Sequence, residues 1–255
     1  MRLPLAAQDC ASAQLARKYV GSIPFTEEEQ GILRELTASV RTVRRREDIL
    51  TEGKKYRAIF LVSEGVLMRY RILRDGRRQI LNLVIPGDFA GVPGCLFDTA
   101  LYSVKALTDA VVAAVPIDRL LALFETRPSL AAKMFWSFSA EAAVYAEHLI
   151  IVGRRSALER ISHFLLELLA RLPAVGLADE SSYHIPLSQE LIGDMLGLSL
   201  PYVNRVLRQL SEDGLVSIKD HKVTILDVEA LGSLADFEPG YLRPLAISEF
   251  LERAP

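Results

Sequence analysis

Six polar side chains crowd the stretch GLSLPYVNRVLRQL, Gly197 to Leu210: Ser199, Tyr202, Asn204, Arg205, Arg208 and Gln209. Several are types that read hydrogen-bonding edges. An arginine guanidinium can donate two parallel bonds to guanine O6 and N7, and an asparagine amide matches adenine N6 and N7. Val203, Val206, Leu207 and Leu210 recur at i, i+3, i+4 and i+7, the spacing of one buried helical stripe. At about 100° per residue, Pro201, Arg205, Arg208 and Glu212 point away from that stripe, with Tyr202, Asn204 and Gln209 beside them. Asn or Arg alone on such a face is ordinary solvated surface. The elements around them decide otherwise.

Ser188 is placed to cap a preceding helix carrying Leu191, Ile192, Met195 and Leu196, and Gly197 supplies the positive φ at its end. Ser199 is placed to cap the next helix. Pro201 falls in the first turn, where its missing N–H breaks no intrahelical bond. GLVSIKDHKVTIL, 214–226, reads as a hairpin that exposes Lys219, His221 and Lys222 at its tip. Two helices meeting at a glycine and followed by a basic hairpin are the parts of a helix-turn-helix with a wing. On such a module Ser188, Gln189, Arg208 and the wing would contact phosphates, while Asn204 and Arg205 read bases.

The rest of the chain must carry that module. It has 255 residues, half of them hydrophobic, with 24% charged and a net charge of −2. No global basic field exists, so a nucleic-acid surface must be local. Residues 41–78 hold 12 Lys and Arg against 5 Asp and Glu; the basic run RTVRRRED there reads as solvated surface first and as a contact for RNA polymerase second. Cys10 and Cys95 are too few for a disulfide framework or a thiolate cluster. With no signal-peptide core and no run of about 18 apolar residues, a soluble cytoplasmic protein without a membrane partner is expected.

The first 40 residues look helical, with Thr26 and the acidic run 27–29 forming a helix start. From Val43 to about Val115, short β-rich runs alternate with Gly and Asp turns, including the Asp-Gly of RDGR at 74–77, as in a β-sandwich or barrel. Asp118 is placed to cap the next helix. An unbroken helix then runs from Pro128 to about Val152. Within it Met134, Phe138, Ala142, Tyr145, Leu149 and Val152 follow at the alternating spacings of a dimer seam. GRRSALERI, 153–161, reads as a polar joint, SHFLLELLARL as a second amphipathic helix, and ADESSYHI, 178–185, as a loop. The expected architecture is α+β. An N-terminal extension, 1–22, precedes a β-roll (a double-stranded, jelly-roll-like sensor domain) at 23–127. A dimerisation helix at 128–153, a winged helix-turn-helix at 154–228, and a helix stub and tail at 229–255 follow.

The stretch REDILTEGKKYRAIFLVSEGVLMRYRILRDGRRQILNLVIPGDFAG resembles the β-roll of the Crp/Fnr superfamily of bacterial transcription regulators. LERISHFLLEL and LSQELIGDMLGLSLPYVNRVLRQLSEDGLVSI resemble the same superfamily's winged helix, in the same order, and the resemblance spans roughly residues 20–228. It implies a homodimeric regulator on double-stranded DNA with a palindromic operator, and RNA polymerase as partner if it activates. Cyclic-AMP-binding members follow the PGDF-like turn with Gly-Glu and later an Arg that clamps the phosphate. Here Gly91-Val92-Pro93 stands instead and no Arg lies between Gly91 and Lys105, which argues against a cyclic nucleotide. Lys105 remains as a point charge, and Cys95 as a thiol in the loop facing the effector cavity. The four-cysteine iron–sulfur cluster of other members is excluded by the two cysteines. One His or Cys could hold a haem iron, but His148, His163, His184 and His221 all fall outside the β-roll. The effector is therefore left unnamed. Relatives carry Glu at the position of Pro201 and Gly or Ser at Asn204, so their half-sites do not carry over and Asn204 is a candidate for altered specificity. The competing reading is a ligand-binding or scaffold β-roll whose winged helix serves protein contacts. An enzyme is not expected: no GxSxG, HExxH, P-loop or CxxC is present.

Overall fold

A computed structural model describes residues 5–18, 24–92 and 97–243. It divides into two compact units, one formed by the described residues of Met1–Arg71 and Asn82–Ser139, the other by those of Ile72–Leu81 and Ala140–Pro244. The division falls inside a single long helix.

The first unit begins with α1 (Leu5–Lys18) and α2 (Glu27–Leu36). Thr26 caps α2 reciprocally: its hydroxyl accepts from Glu29 N–H, and the Glu29 carboxylate accepts from Thr26 N–H. Eight strands follow: β1 (Val40–Val43), β2 (Asp48–Leu50), β3 (Ala58–Glu64), β4 (Leu67–Ile72), β5 (Arg78–Val84), β6 (Phe89–Ala90), β7 (Ser103–Ala106) and β8 (Ala110–Pro116). They form two four-stranded sheets, in the orders β1-β8-β3-β6 and β2-β7-β4-β5. Ile59, Leu61, Val62, Leu67, Val104, Val112 and Val115 are wholly buried, so the β-branched runs are the core. Gly65 joins β3 to β4 at φ 82°, and a Cβ there would lie 2.4 Å from Asp109 O, so no other residue fits this turn.

Helix α3 (Ile117–Thr126) starts directly after Pro116 and carries no side-chain cap. Asp118 is therefore not a cap but lies in the first turn, where its charge favours the helix dipole. Helix α4 runs from Pro128 to Arg154, 27 residues. Its buried residues are Leu130, Lys133, Met134, Ser137, Val144 and Ile151. This corrects the expected seam. Met134 is 1% exposed, and Phe138 sets its ring edge-on to Phe89 at 5.4 Å, so neither is turned outward. Tyr145 is half-buried, whereas Ala142, Leu149 and Val152 are exposed. The exposed residues Ala132, Phe135, Ser139, Ala142, Ala146, Leu149 and Gly153 alternate at intervals of three and four. Both stripes satisfy a coiled-coil rhythm. Phe138 of the first lies against Phe89 of β6, whereas Ala142 and Leu149 belong to both and are exposed.

In the second unit the polar joint shrinks to Arg155 and Ser156. Helix α5 (Ala157–Arg171) begins at once, with Ser156 and Glu159 in a reciprocal cap. A 3₁₀ turn (Pro173–Val175), β9 (Ser182–His184), α6 (Gln189–Leu196), α7 (Leu200–Glu212), β10 (Val216–Lys219), β11 (Lys222–Ile225) and α8 (Val228–Ala235) complete it. β9 lies inside the segment expected to be a loop. It pairs with β11, Tyr183 opposite Val223, and makes a three-stranded sheet in the order β10-β11-β9. Three residues are too few for alternation to show in the sequence. Asp220 (φ 49°) and His221 (φ 64°) both take left-handed geometry, as a two-residue hairpin turn requires. Among the described residues, no helix is long and apolar enough to cross a membrane.

Candidate nucleic-acid interface

Helices α6 and α7 meet at Gly197, which ends α6 in the left-handed conformation (φ 66°). Four residues earlier, Gly193 allows a second close approach: a Cβ there would stand 2.7 Å from Leu198 O. The sequence reading used the first glycine and missed the second. The two serines at the helix starts behave differently. Ser188 accepts from Leu191 N–H at 3.1 Å. Ser199 occupies the same place before α7 and makes no cap bond. A capping oxygen takes its proton from the second or third helical residue; in α7 Pro201 removes the second, but Tyr202, the counterpart of Leu191, keeps its N–H, so the proline alone does not account for the missing bond.

Val203, Val206 and Leu210 are buried and Leu207 is half-buried, as the periodicity requires. Pro201, Tyr202, Asn204, Arg205, Arg208 and Gln209 are all exposed. The Arg205 guanidinium lies over the Tyr202 ring, 4.1 Å from its centre. Asn204 Nδ2 donates to Gln189 Oε1 at 3.3 Å, joining the two helices. Arg208 stands 3.6 Å from Glu212, one turn on. Lys219, His221 and Lys222 are exposed at the tip of β10 and β11, and the His221 ring meets that of His184 at 6.4 Å. Beneath the helices, the hairpin tip that belongs to this unit contributes Arg78, whose Nε donates to Asp194 of α6 at 2.7 Å, and Gln79, which donates to Met195 O.

The interior of the unit holds a polar cluster that the sequence did not reveal. Glu167 of α5 is buried. It accepts from Arg171 Nη1 at 2.9 Å, from the Tyr241 hydroxyl at 3.0 Å, and faces His148 Nε2 of α4 at 2.9 Å. His148 Nδ1 lies 3.3 Å from Leu81 O. Burial opposes a charge on this histidine, but the charge and hydrogen bond of Glu167 outweigh it, and the pKa is raised. Burial also works against the charge of Glu167, yet His148 and Arg171 hold its carboxyl well below the usual range. His163 is fully buried, 3.2 Å from Glu147, under the rings of Phe237 and Tyr241. Burial pulls its pKa down to about 4.

One effector candidate of the first unit, Lys105, is occupied by the protein itself. Lys105 Nζ lies 3.4 Å from Asp48 and 5.5 Å from the centre of the Tyr70 ring, so its charge already has a carboxylate partner. Arg69 is buried, donates to Phe89 O and faces the Tyr102 ring. Cys95 lies outside the described residues. Arg44, Arg45 and Arg46 are exposed, as a solvated basic edge would be. Among the described residues no group of three or more His, Cys, Asp and Glu is placed to hold a metal ion.

Comparison with known proteins agrees with this arrangement. Residues 40–127 match the cyclic nucleotide-binding domain family and residues 159–234 the Crp-like helix-turn-helix domain family. The transcriptional activator protein anr of Pseudomonas aeruginosa is 30% identical over 228 residues, 89% of this chain and 91% of that protein. The chain belongs to the Crp/Fnr family of transcription regulators. The nitrogen fixation regulation protein FixK of Bradyrhizobium diazoefficiens is 32% identical over 199 residues, 78% of this chain and 80% of that protein. The solved structure of FixK2 from Bradyrhizobium japonicum is 28% identical, with a TM-score of 0.70 over 77% of this chain and 96% of that one. Crp/Fnr regulators bind DNA and act as dimers, and the family is one of regulators rather than enzymes. Between Gly91 and Lys105 the sequence has no Arg, and Lys105 pairs with Asp48.

Proposed function

We propose that this Crp/Fnr regulator is a cytoplasmic homodimer on a palindromic operator, with one α7 in each of two major grooves about a helical turn apart. Asn204 and Arg205 read bases. Ser188, Arg208, Lys219, His221 and Lys222 hold the phosphates, and Ser199, Pro201 and Tyr202 lie against the groove. The observation that carries the reading is the fully exposed polar face of α7 above a wholly apolar buried stripe. The partner copy covers α4. Phe135 and Leu149 are 71% and 76% exposed on the stripe of small residues that runs from Ala132 to Gly153, and a second identical helix matches that rhythm. The β-roll works with an effector other than a cyclic nucleotide, or with none, and without an iron–sulfur cluster. RNA polymerase is the partner when the regulator activates.

Footprinting of the purified protein on genomic DNA tests the operator reading. Protected sites should share a two-fold symmetric sequence, and affinity should fall steeply with salt as phosphate counterions are released. A flat salt response would favour protein contacts for the winged helix instead. Sedimentation tests the dimer: Leu149→Glu should yield monomers, whereas Met134→Ala should lower stability and leave the dimer intact.

A further inference from the structure

Asn204 does not project from α7 alone. Its amide Nδ2 donates to the side-chain oxygen of Gln189, the first residue of α6, at 3.3 Å. Gln189 is half-buried and Asn204 exposed, so the glutamine is the anchored member of the pair. An asparagine amide has two N–H donors and one carbonyl acceptor. One donor is taken by Gln189. One donor and the acceptor remain, with the amide's orientation set, and that is the pair adenine N7 and N6 require. An untethered amide could turn over and present the reverse edge at the same place.

We propose that Gln189 is a positioning residue for base reading: it sets the orientation of the Asn204 amide and thereby the base preferred at that step of the half-site. This rests on the reading of α7 as the recognition helix. Tyr202 supports Arg205 in a parallel way from within α7, its ring 4.1 Å from the guanidinium carbon. The sequence alone assigned Gln189 to a phosphate. The two roles differ in what is lost. A phosphate contact serves all sequences alike and steepens the salt dependence, whereas a positioning bond serves one base pair.

The test uses the full-length protein, a selection from randomised duplexes, and equilibrium titration of the selected duplex and its single-base variants at fixed salt. Gln189→Ala should lower discrimination at one base pair per half-site by about tenfold and leave the others intact. Asn204→Ala should lose the same preference, and the double variant should lose no more than Asn204→Ala alone, because the two act as one unit. Gln189→Glu still accepts from the amide. It should keep the preference while its charge weakens binding to every duplex, and it carries the test if the alanine variant folds poorly. A uniform loss in Gln189→Ala with a smaller salt slope, or additive effects in the double variant, would overturn the proposal. Wild-type protein that selects no sequence would instead overturn the recognition-helix reading beneath it.

Discussion

Two regions of the second unit use polar side chains in opposite ways. Around Glu167, buried carboxylate, imidazole, guanidinium and phenol groups satisfy one another within the chain. On α7, Arg205 has a ring beneath it and no carboxylate, and Asn204 keeps a donor and an acceptor after its bond to Gln189. The difference follows from solvation. A buried polar group without partners costs more than its bond returns, so the Glu167 cluster closes its network, while the His163 ring nitrogens beside it find no hydrogen-bond partner among the described residues. An exposed group can keep hydrogen-bonding capacity at no such cost, since water fills it until a ligand displaces the water. Buried groups should therefore govern stability and its pH dependence, and exposed groups with open hydrogen-bonding capacity should govern binding.

The largest expected effect concerns the interior. His163 titrates near 6.5 in an unfolded chain, but burial first of all lowers its native pKa to about 4. Between those values the unfolded chain binds a proton that the native unit refuses, so stability falls as pH drops from 6.5 to 4, by about 3 kcal/mol in total. His148 acts in the other direction. Its pKa is raised by Glu167 against the opposing effect of burial, so its contribution is complete below 6.5 and is lost as pH rises through the raised value. Urea melts should place the maximum near pH 6.5. His163→Leu should flatten the acid side and Glu167→Gln the alkaline side, and neither should alter base preference. A wild-type midpoint that stays level from pH 6.5 to 4 would contradict this account of the cluster.

On the binding face the expectation reverses. Arg205→Ala should reduce affinity for the selected operator by about 1–3 kcal/mol, tenfold or more, with an unchanged melting temperature. Arg205→Lys should recover little of it, since a point charge cannot form the paired bonds. Lys105→Ala supplies the contrast from the first unit. Its partner Asp48 already answers its charge, and the pair is partly exposed. Removing it should leave operator affinity alone and cost stability at most about 1 kcal/mol. An equal loss of DNA affinity in both variants would break the division between satisfied and unsatisfied groups.

What the sequence disclosed follows the same division. The strands, the wing and the α7 stripe were legible because burial imposes a period of two or 3.6 on residue type. The α6–α7 turn was legible because glycine and proline have few places to stand. Met134 and Phe138 were expected to face outward because α4 carries two overlapping stripes of similar rhythm, and only packing turns Met134 inward and Phe135 outward. Glu167 sat unnoticed inside SHFLLELLARL, where one acid in an apolar helix looks like an ordinary polar position. Its partners His148 and Tyr241 lie 19 and 74 residues away in sequence, and no local pattern reports such pairings. The Gln189–Asn204 bond spans 15 residues and is hidden for the same reason.

The smallest expected effect compares like with like, because Ser188 and Ser199 stand at equivalent places before adjacent helices. Ser188 accepts from Leu191 N–H, and Ser188→Ala should cost about 1 kcal/mol of stability. Ser199 makes no cap bond, so Ser199→Ala should cost only about a few tenths, in the range of an ordinary surface change. The sequence assigned both serines the same role. Pro201 does not account for the difference, because Tyr202, the counterpart of Leu191, keeps its N–H. Pro201→Ala adds only a donor at the second helical position, which Ser188 does not use, so the cost of Ser199→Ala should stay small in its background too. Thermal melts of the three single variants and the Ser199→Ala/Pro201→Ala double variant measure this directly. If Ser199→Ala costs as much as Ser188→Ala in the presence of Pro201, the hydroxyl has a cap partner after all. It would then belong with the satisfied groups rather than with those left open for DNA.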